Sequence, residues 1–164
     1  MSLESVRADF AARQIDLAII ELETSTATVA LAAEAHGVEA GRIAKTLAFR
    51  LSGERVILLV AAGDARIDNR KFKECFGKGR MLPAEEVEAL TGHPVGGVCP
   101  FGLATALPVY LDASLQAYDE VLPAAGAVHS AVRLSPARLA AITHGHWVDV
   151  CQPAQQTAEL ALVS

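Results

Sequence analysis

RIAKTLAFRLSGERVILLVAA, residues Arg42 to Ala62, reads as two β-strands folded back on one another. Arg42 to Leu51 and Glu54 to Ala62 are strand-length apolar runs, and Ser52-Gly53 between them is a hairpin signal. Alternation places Ile43, Lys45, Leu47 and Phe49 on one face of the first strand, with Ala44, Thr46 and Ala48 on the other. Lys45 therefore shares a face with three large apolar residues. It is either snorkelling from the sheet edge or held in a cleft to meet an anion or a carbonyl.

Outward from this hairpin, helix and strand signals alternate without a strict βαβ repeat. Ser2, Leu3, Val6, Phe10 and Ala11 spell a capped amphipathic helix, and Leu17 to Leu22 a short strand. The cluster Thr24 to Thr28 offers N-caps for a helix through Val29, Ala32, Ala33 and His36, ended by Gly37. Asp68 caps a helix that runs to Gly77, and Pro83 with Glu85 and Glu86 opens another that ends near Thr91. Pro108 to Asp112 is a strand; Glu120 to Ala125 and Val128 to Leu134 read as two more, joined at Gly126. Ser135-Pro136 starts a helix closed near Gly145, and Trp147 to Cys151 is a last strand. The class is α+β: a mixed, largely antiparallel sheet with flanking helices. Residues 1–152 read as one domain, with 153–164 a tail to which no function is assigned.

Two stretches depart from ordinary globular material. TGHPVGGVCPFG, Thr91 to Gly102, holds four glycines and two prolines in twelve positions. Glycine allows close backbone approach and positive φ, whereas proline fixes φ and removes a donor. With Val95, Val98 and Phe101 as apolar anchors, the stretch is either a tight linking turn or a rigid loop presenting main-chain N–H groups. Arg66 to Arg80 gathers Arg66, Arg70, Lys71, Lys73, Lys78 and Arg80 against Asp68 and Glu74 alone. Such a run is either a solvated face or a docking strip for a phosphate backbone.

The remaining bounds are modest. The chain has 164 residues, 52% of them hydrophobic, and a net charge of −5, which argues against a general nucleic-acid binder. Cys75, Cys99 and Cys151 are far apart with no CxxC pair, which suits reduced thiols rather than disulfides or zinc. No basic lead followed by an apolar run opens the chain, and no apolar run is long enough to span a bilayer. A cytoplasmic protein without membrane contact is expected, and the oligomeric state is left open.

Taken together, IAKTLAFR around Lys45, TGHPVGGVCPFG with its GxxxP element from Gly96 to Pro100, LPVYLD, and AGAVHSAVRLSPARL resemble the YbaK/ProX family. These are free-standing aminoacyl-tRNA editing domains related to the insertion domain of bacterial prolyl-tRNA synthetase. The resemblance covers roughly residues 1–151, and it lies in the order and spacing of the pieces. It implies a barrel-like editing-domain sheet and a deacylase acting in trans on a small amino acid mischarged onto tRNA, typically tRNA for proline. It needs no cofactor or metal, and prolyl-tRNA synthetase is a candidate partner. Lys45 would then engage the terminal phosphate or the ester region. Gly96, Cys99, Pro100 and Phe101 would line the amino-acid pocket with Thr28, Thr46, Gly126, His129 and Ser130. The basic strip from Arg66 to Arg80 would meet the tRNA.

The chemistry can also be argued without the family. An aminoacyl ester is already activated, so positioning and oxyanion stabilisation matter more than a strong nucleophile. Backbone N–H groups of Gly97 or Val98 could supply the stabilisation, and the ribose hydroxyl of the tRNA could orient water. No GxSxG elbow is present. Cys99 with His93 or His129 as base is an alternative, and a pocket wall is the other reading of Cys99. His144 and His146 form HxH without a third ligand type nearby. A non-catalytic tRNA- or synthetase-binding module on the same fold is the competing function. The editing reading requires Lys45 and the loop to face one another across a shared hollow.

Overall fold

A computed structural model describes residues 2–153 of the chain. The sequence-predicted tail lies, from residue 154 on, outside the described residues. The elements are α1 (Ser2–Ala12), β1 (Ile20–Glu21), α2 (Val29–His36), β2 (Ile43–Leu51), β3 (Val56–Ala62), α3 (Asn69–Phe76), β4 (Gly79–Met81), α4 (Ala84–Thr91), β5 (Val109–Asp112), β6 (Leu122–Pro123), β7 (Ser130–Ala131), α5 (Pro136–Thr143) and β8 (His146–Val148).

The hairpin β2–β3 is the trunk. Its antiparallel register runs from Ala44↔Ala62 to Arg50↔Val56, and the turn places Gly53 at φ 76°. The larger sheet has the order β4-β2-β3-β5-β8, with β6 also pairing with β2, and β1 pairs with β7 apart from it. Most paired residues are antiparallel, while β5, β6 and β8 join in parallel. The class is therefore the mixed α+β sheet expected from the sequence. The sheet is open: its path ends at β4 and β8 without closing into a barrel.

Period-two alternation divides the core. Ala44, Ala48, Leu58, Val60 and Ala62 face a large cluster with Val6 and Phe10 of α1, Leu139 and Ile142 of α5, and Cys99 and Phe101 of the Gly/Pro loop. Phe49, Leu51, Ile57 and Leu59 face a smaller cluster with Phe72 and Phe76 of α3. Helices thus cover both faces of β3, whose apolar run has no solvent side. Thr28, Asp68 and Ser135 cap α2, α3 and α5 through side-chain oxygens, as their sequence positions predict.

Two expectations change. Leu17 to Leu22 forms only the two-residue β1, and the strands expected from Glu120 to Leu134 shrink to β6 and β7. Those two short strands serve different sheets, β6 joining β2 and β7 joining β1. Isolated bridges Val121↔Leu134 and Ala124↔Ala131 keep the two runs antiparallel. Apolar runs here report burial, since Val121, Leu122, Ala125, Val132 and Leu134 are all core residues.

Candidate functional site

The edge of β2 away from β3 is covered in two pieces. β6 pairs with Ile43 and Ala44, β4 pairs with Phe49 to Leu51, and Leu82 N–H donates to Ala48 O at 3.0 Å. Between the pieces a cavity of about 330 Å³ opens beside Lys45, Thr46 and Leu47. The start of α2 supplies Thr26, Thr28 and Val29 to its wall, and the Gly/Pro loop supplies Val95, Gly96 and Val98. Buried Ser130 of β7 and exposed Met81 of β4 also border it.

The loop is held by close backbone contacts. Gly96 has φ +88°, and a Cβ there would lie 2.8 Å from Ala27 Cβ. A Cβ on Gly97 would lie 2.7 Å from Ala127 N. Only glycine permits both approaches. Gly97 N–H donates to Pro94 O at 2.9 Å, and Gly97 O accepts from Gly126 N–H at 3.0 Å. Phe101 is buried edge-on against Phe10, ring centroids 5.2 Å apart, and anchors the loop in the core. Val95, by contrast, is 60% exposed, so it forms the lip of the cavity rather than an anchor.

Lys45 leaves β2 on the face of Leu47 and Phe49, opposite the one on which the Gly/Pro loop packs. Its ammonium donates to Ala65 O at 2.5 Å and Gly63 O at 3.3 Å in the turn after β3. Lysine and loop still border one cavity, because that cavity lies at the strand edge where the two faces meet. Burial pushes the Lys45 pKa down, an effect opposed by Cys151 and Asp64. Lys45 is thus neither a free snorkelling side chain nor one pointing bare into the cavity.

The expected site residues therefore separate. Lys45, Thr28, Thr46, Gly96, Val98 and Ser130 line the cavity. Gly97, Cys99, Pro100, Phe101, Gly126 and His129 do not. Cys99 is fully buried beneath the loop, its Sγ 3.5 Å from His93 Nε2, and burial pushes its thiol up to about 12. His93 Nε2 lies 2.6 Å from Phe101 O and must carry a proton to bond it, so the ring is no base for that thiol. These facts remove both the thiol mechanism and the pocket-wall reading of Cys99. His129 instead faces Glu21, 3.6 Å away, on the β1–β7 pair. Ser130 Oγ is engaged by Ala127, accepting its N–H at 3.1 Å and donating to its O at 3.0 Å.

Other wall residues escaped sequence reasoning. His36, read from sequence as a routine helix-end residue, borders the cavity with its Nε2 buried and unpartnered among the described residues. Burial lowers its pKa, and Arg133 adds to the effect. Thr26 is buried with Oγ1 donating to Val128 O at 3.0 Å. Thr28, at the foot of α2, marked this region in the sequence, but the helix pattern could not show which of its sides met the hairpin.

The basic strip divides as well. Lys71 Nζ is paired with Asp149 at 3.2 Å and donates to Cys151 O at 3.1 Å, while Arg70 reaches Glu74 at 3.4 Å. Arg66, Lys73, Lys78 and Arg80 are exposed and make no ion pair among the described residues. Arg80 immediately precedes Met81 at the cavity rim. Among the described residues no helix is long and apolar enough to cross a membrane.

Comparison with known proteins places these features in a family. Residues 23–142, which hold Lys45 and the whole Gly/Pro loop, match the aminoacyl-tRNA editing domain. The chain is 51% identical over 154 residues to YwhH of Bacillus subtilis, covering 93% of this chain and 98% of that protein. It is 31% identical over 120 residues to EbsC of Enterococcus faecalis, a candidate Cys-tRNA(Pro)/Cys-tRNA(Cys) deacylase, covering 72% of this chain and 73% of that one. The proline–tRNA ligase of Desulfovibrio desulfuricans is 34% identical over 117 residues, 70% of this chain but 20% of the ligase. A candidate trans-editing enzyme for prolyl-tRNA synthetase superposes with a TM-score of 0.84 at 36% identity, covering 93% of this chain and 98% of that one. With its cavity inside the matched segment and its fold shared with that structure, the chain belongs to the aminoacyl-tRNA editing domain family.

Proposed function

We propose that the protein hydrolyses the ester between a small mischarged amino acid and the 3′ end of a tRNA, with tRNA for proline the favoured carrier. The observation that carries this reading is the cavity at the uncovered edge of β2, bordered by Lys45, Gly96, Val98 and Ser130 within a matched editing domain. The relatives' described roles support the same chemistry, one on Cys-tRNA and one alongside prolyl-tRNA synthetase.

Water adds to the ester carbonyl carbon, and the resulting tetrahedral oxyanion collapses. The ribose oxygen leaves and takes up a proton, releasing free amino acid and tRNA. The protein's part is to position the ester and to stabilise the oxyanion. Gly97 N–H is engaged by Pro94 O, which leaves Val98 as the loop's candidate donor; its N–H takes no part in the loop's own backbone bonds. The Lys45 ammonium, held by two carbonyls of the turn after β3, is the positive charge assigned to the phosphate or ester region. The tRNA's own ribose hydroxyl orients the water.

The apolar wall formed by Ala44, Val98, Leu122 and Ala131 favours a small side chain. A hydrophobic wall separates neighbours in size by only about 1–3 kcal/mol per methylene, so a family of small amino acids is expected to be accepted. The test is deacylation of alanyl-, seryl-, cysteinyl-, threonyl- and prolyl-tRNA by purified protein. Rapid release from one or more of the small mischarged species is expected. Tight tRNA binding without release from any of them would make the protein a binding module instead.

A further inference from the structure

The uncovered stretch of the outer edge of β2 is short in hydrogen-bonding terms. Leu58 N–H donates to Pro108 O at 2.9 Å, away from β2, and Ala48 O accepts from Leu82 N–H at 3.0 Å, away from β3. The pair Ala48↔Leu58 therefore turns its main-chain polar groups outward on both sides. In an antiparallel ladder this orientation recurs every second residue, so Thr46, opposite Val60, also turns its N–H and C=O away from β3. On that outer side the β6 pairing ends at Ala44↔Pro123, and the next bond is the one to Ala48. Between them lie both main-chain groups of Thr46 and the N–H of Ala48, none with a backbone partner among the described residues; Thr46, which offers both a donor and an acceptor, borders the cavity. Its Oγ1 is also buried without a partner among the described residues. Polar groups so placed are nearly always paired in native proteins, which marks Thr46 as the point where a ligand supplies the bonds.

We propose that the aminoacyl group enters this opening as a single residue of antiparallel strand, bonded to the main chain of Thr46. This inference rests on the proposed hydrolysis and names how that site recognises its substrate. The α-ammonium donates to Thr46 C=O, and the ester carbonyl oxygen accepts from Thr46 N–H. One residue can exchange both bonds with one partner only in the antiparallel pattern; parallel pairing needs two. The pairing places the substrate side chain on the same face as that of Thr46, beside Oγ1 and towards Val98. It also aims Thr46 N–H at the oxygen on which negative charge develops, the role that Gly97 N–H cannot fill while bonded to Pro94 O. An edge strand normally recruits a peptide strand; here the opening admits one amino acid.

Two measurements on the full chain test this. The first compares hydrolysis of the aminoacyl-tRNA released fastest in the panel above with that of its N-acetyl derivative, which keeps the ester but loses the ammonium. At least about a tenfold loss of kcat/KM on acetylation is expected, since a charge-assisted bond is removed and bulk is added in a one-residue opening. The second follows amide resonances of 15N-labelled protein as 3′-alanylamino-3′-deoxyadenosine is added. The Thr46 amide is expected to shift with the free amine and to stay in place with the N-acetyl analogue. Equal hydrolysis of both esters, or binding that moves Val98 and Ser130 amides but leaves Thr46 unmoved, overturns the anchor while leaving the hydrolase reading intact. Neither hydrolysis nor binding of any of these compounds overturns both.

Discussion

Lys45 illustrates what one residue contributes here. Its ammonium is held by two main-chain carbonyls, and burial favours its neutral form more than for an exposed lysine. Lys45→Met keeps the length and removes the charge. We expect kcat/KM for deacylation to fall about 100-fold, with folding stability changed by less than about 2 kcal/mol in urea denaturation. Wild-type turnover at subsaturating tRNA would remove the lysine from the mechanism. His93 makes a prediction of a different kind. It is fully buried, its proton is on Nε2, and burial lowers its pKa from the ordinary 6.5. Below that value the unfolded chain binds a proton that the folded chain resists, so stability falls as pH drops through the window beneath 6.5. His36 has the same sign. The urea midpoint is expected to fall between about pH 7 and about pH 5, and His93→Gln to flatten that fall.

At the scale of the element, the Gly/Pro loop works by close approach more than by flexibility. Gly96 and Gly53 both have positive φ, yet a Cβ at Gly53 meets nothing within 4 Å, whereas at Gly96 it meets Ala27 Cβ at 2.8 Å and Ala27 Cα at 2.9 Å. Gly53→Ala is expected to destabilise by about 1 kcal/mol, the left-handed backbone cost alone. Gly96→Ala is expected to exceed it by about 2 kcal/mol and to lower deacylation, because the loop must lift from the start of α2. Equal midpoints for the two variants in thermal unfolding would mean that the loop is not clamped there. The sequence marked this loop by composition, and the hairpin and the capped helices by periodicity and cap residues. It misjudged Glu120 to Leu134, because an apolar run reports burial and does not say which strand, if any, it pairs with.

At the scale of the molecule, an acidic chain carries exposed Lys73, Lys78 and Arg80 without ion-pair partners among the described residues, with Arg80 next to the cavity rim. On the proposed reading, the 3′ end of the tRNA enters the cavity and its backbone is expected along α3 and β4. Binding of tRNA is expected to weaken steeply with salt. The triple variant Lys73→Glu, Lys78→Glu, Arg80→Glu should lower affinity at low salt by more than about tenfold and flatten the slope by about one for each phosphate no longer neutralised. Filter binding across a salt series reads both. An unchanged slope would place the tRNA elsewhere.

Local signals in the chain were enough to determine the trunk hairpin, the helix caps, the α+β class and a Gly/Pro-rich stretch set apart by its composition. They did so because alternation, capping and glycine chemistry act over a few residues. Only the tertiary structure decided that Lys45 and the loop approach one cavity from opposite faces of the sheet, that Cys99 is sealed beneath it, and that Thr46 turns both its main-chain groups to an uncovered strand edge. Each of these depends on where β4 and β6 stop along β2, and that is settled by packing between segments dozens of residues apart.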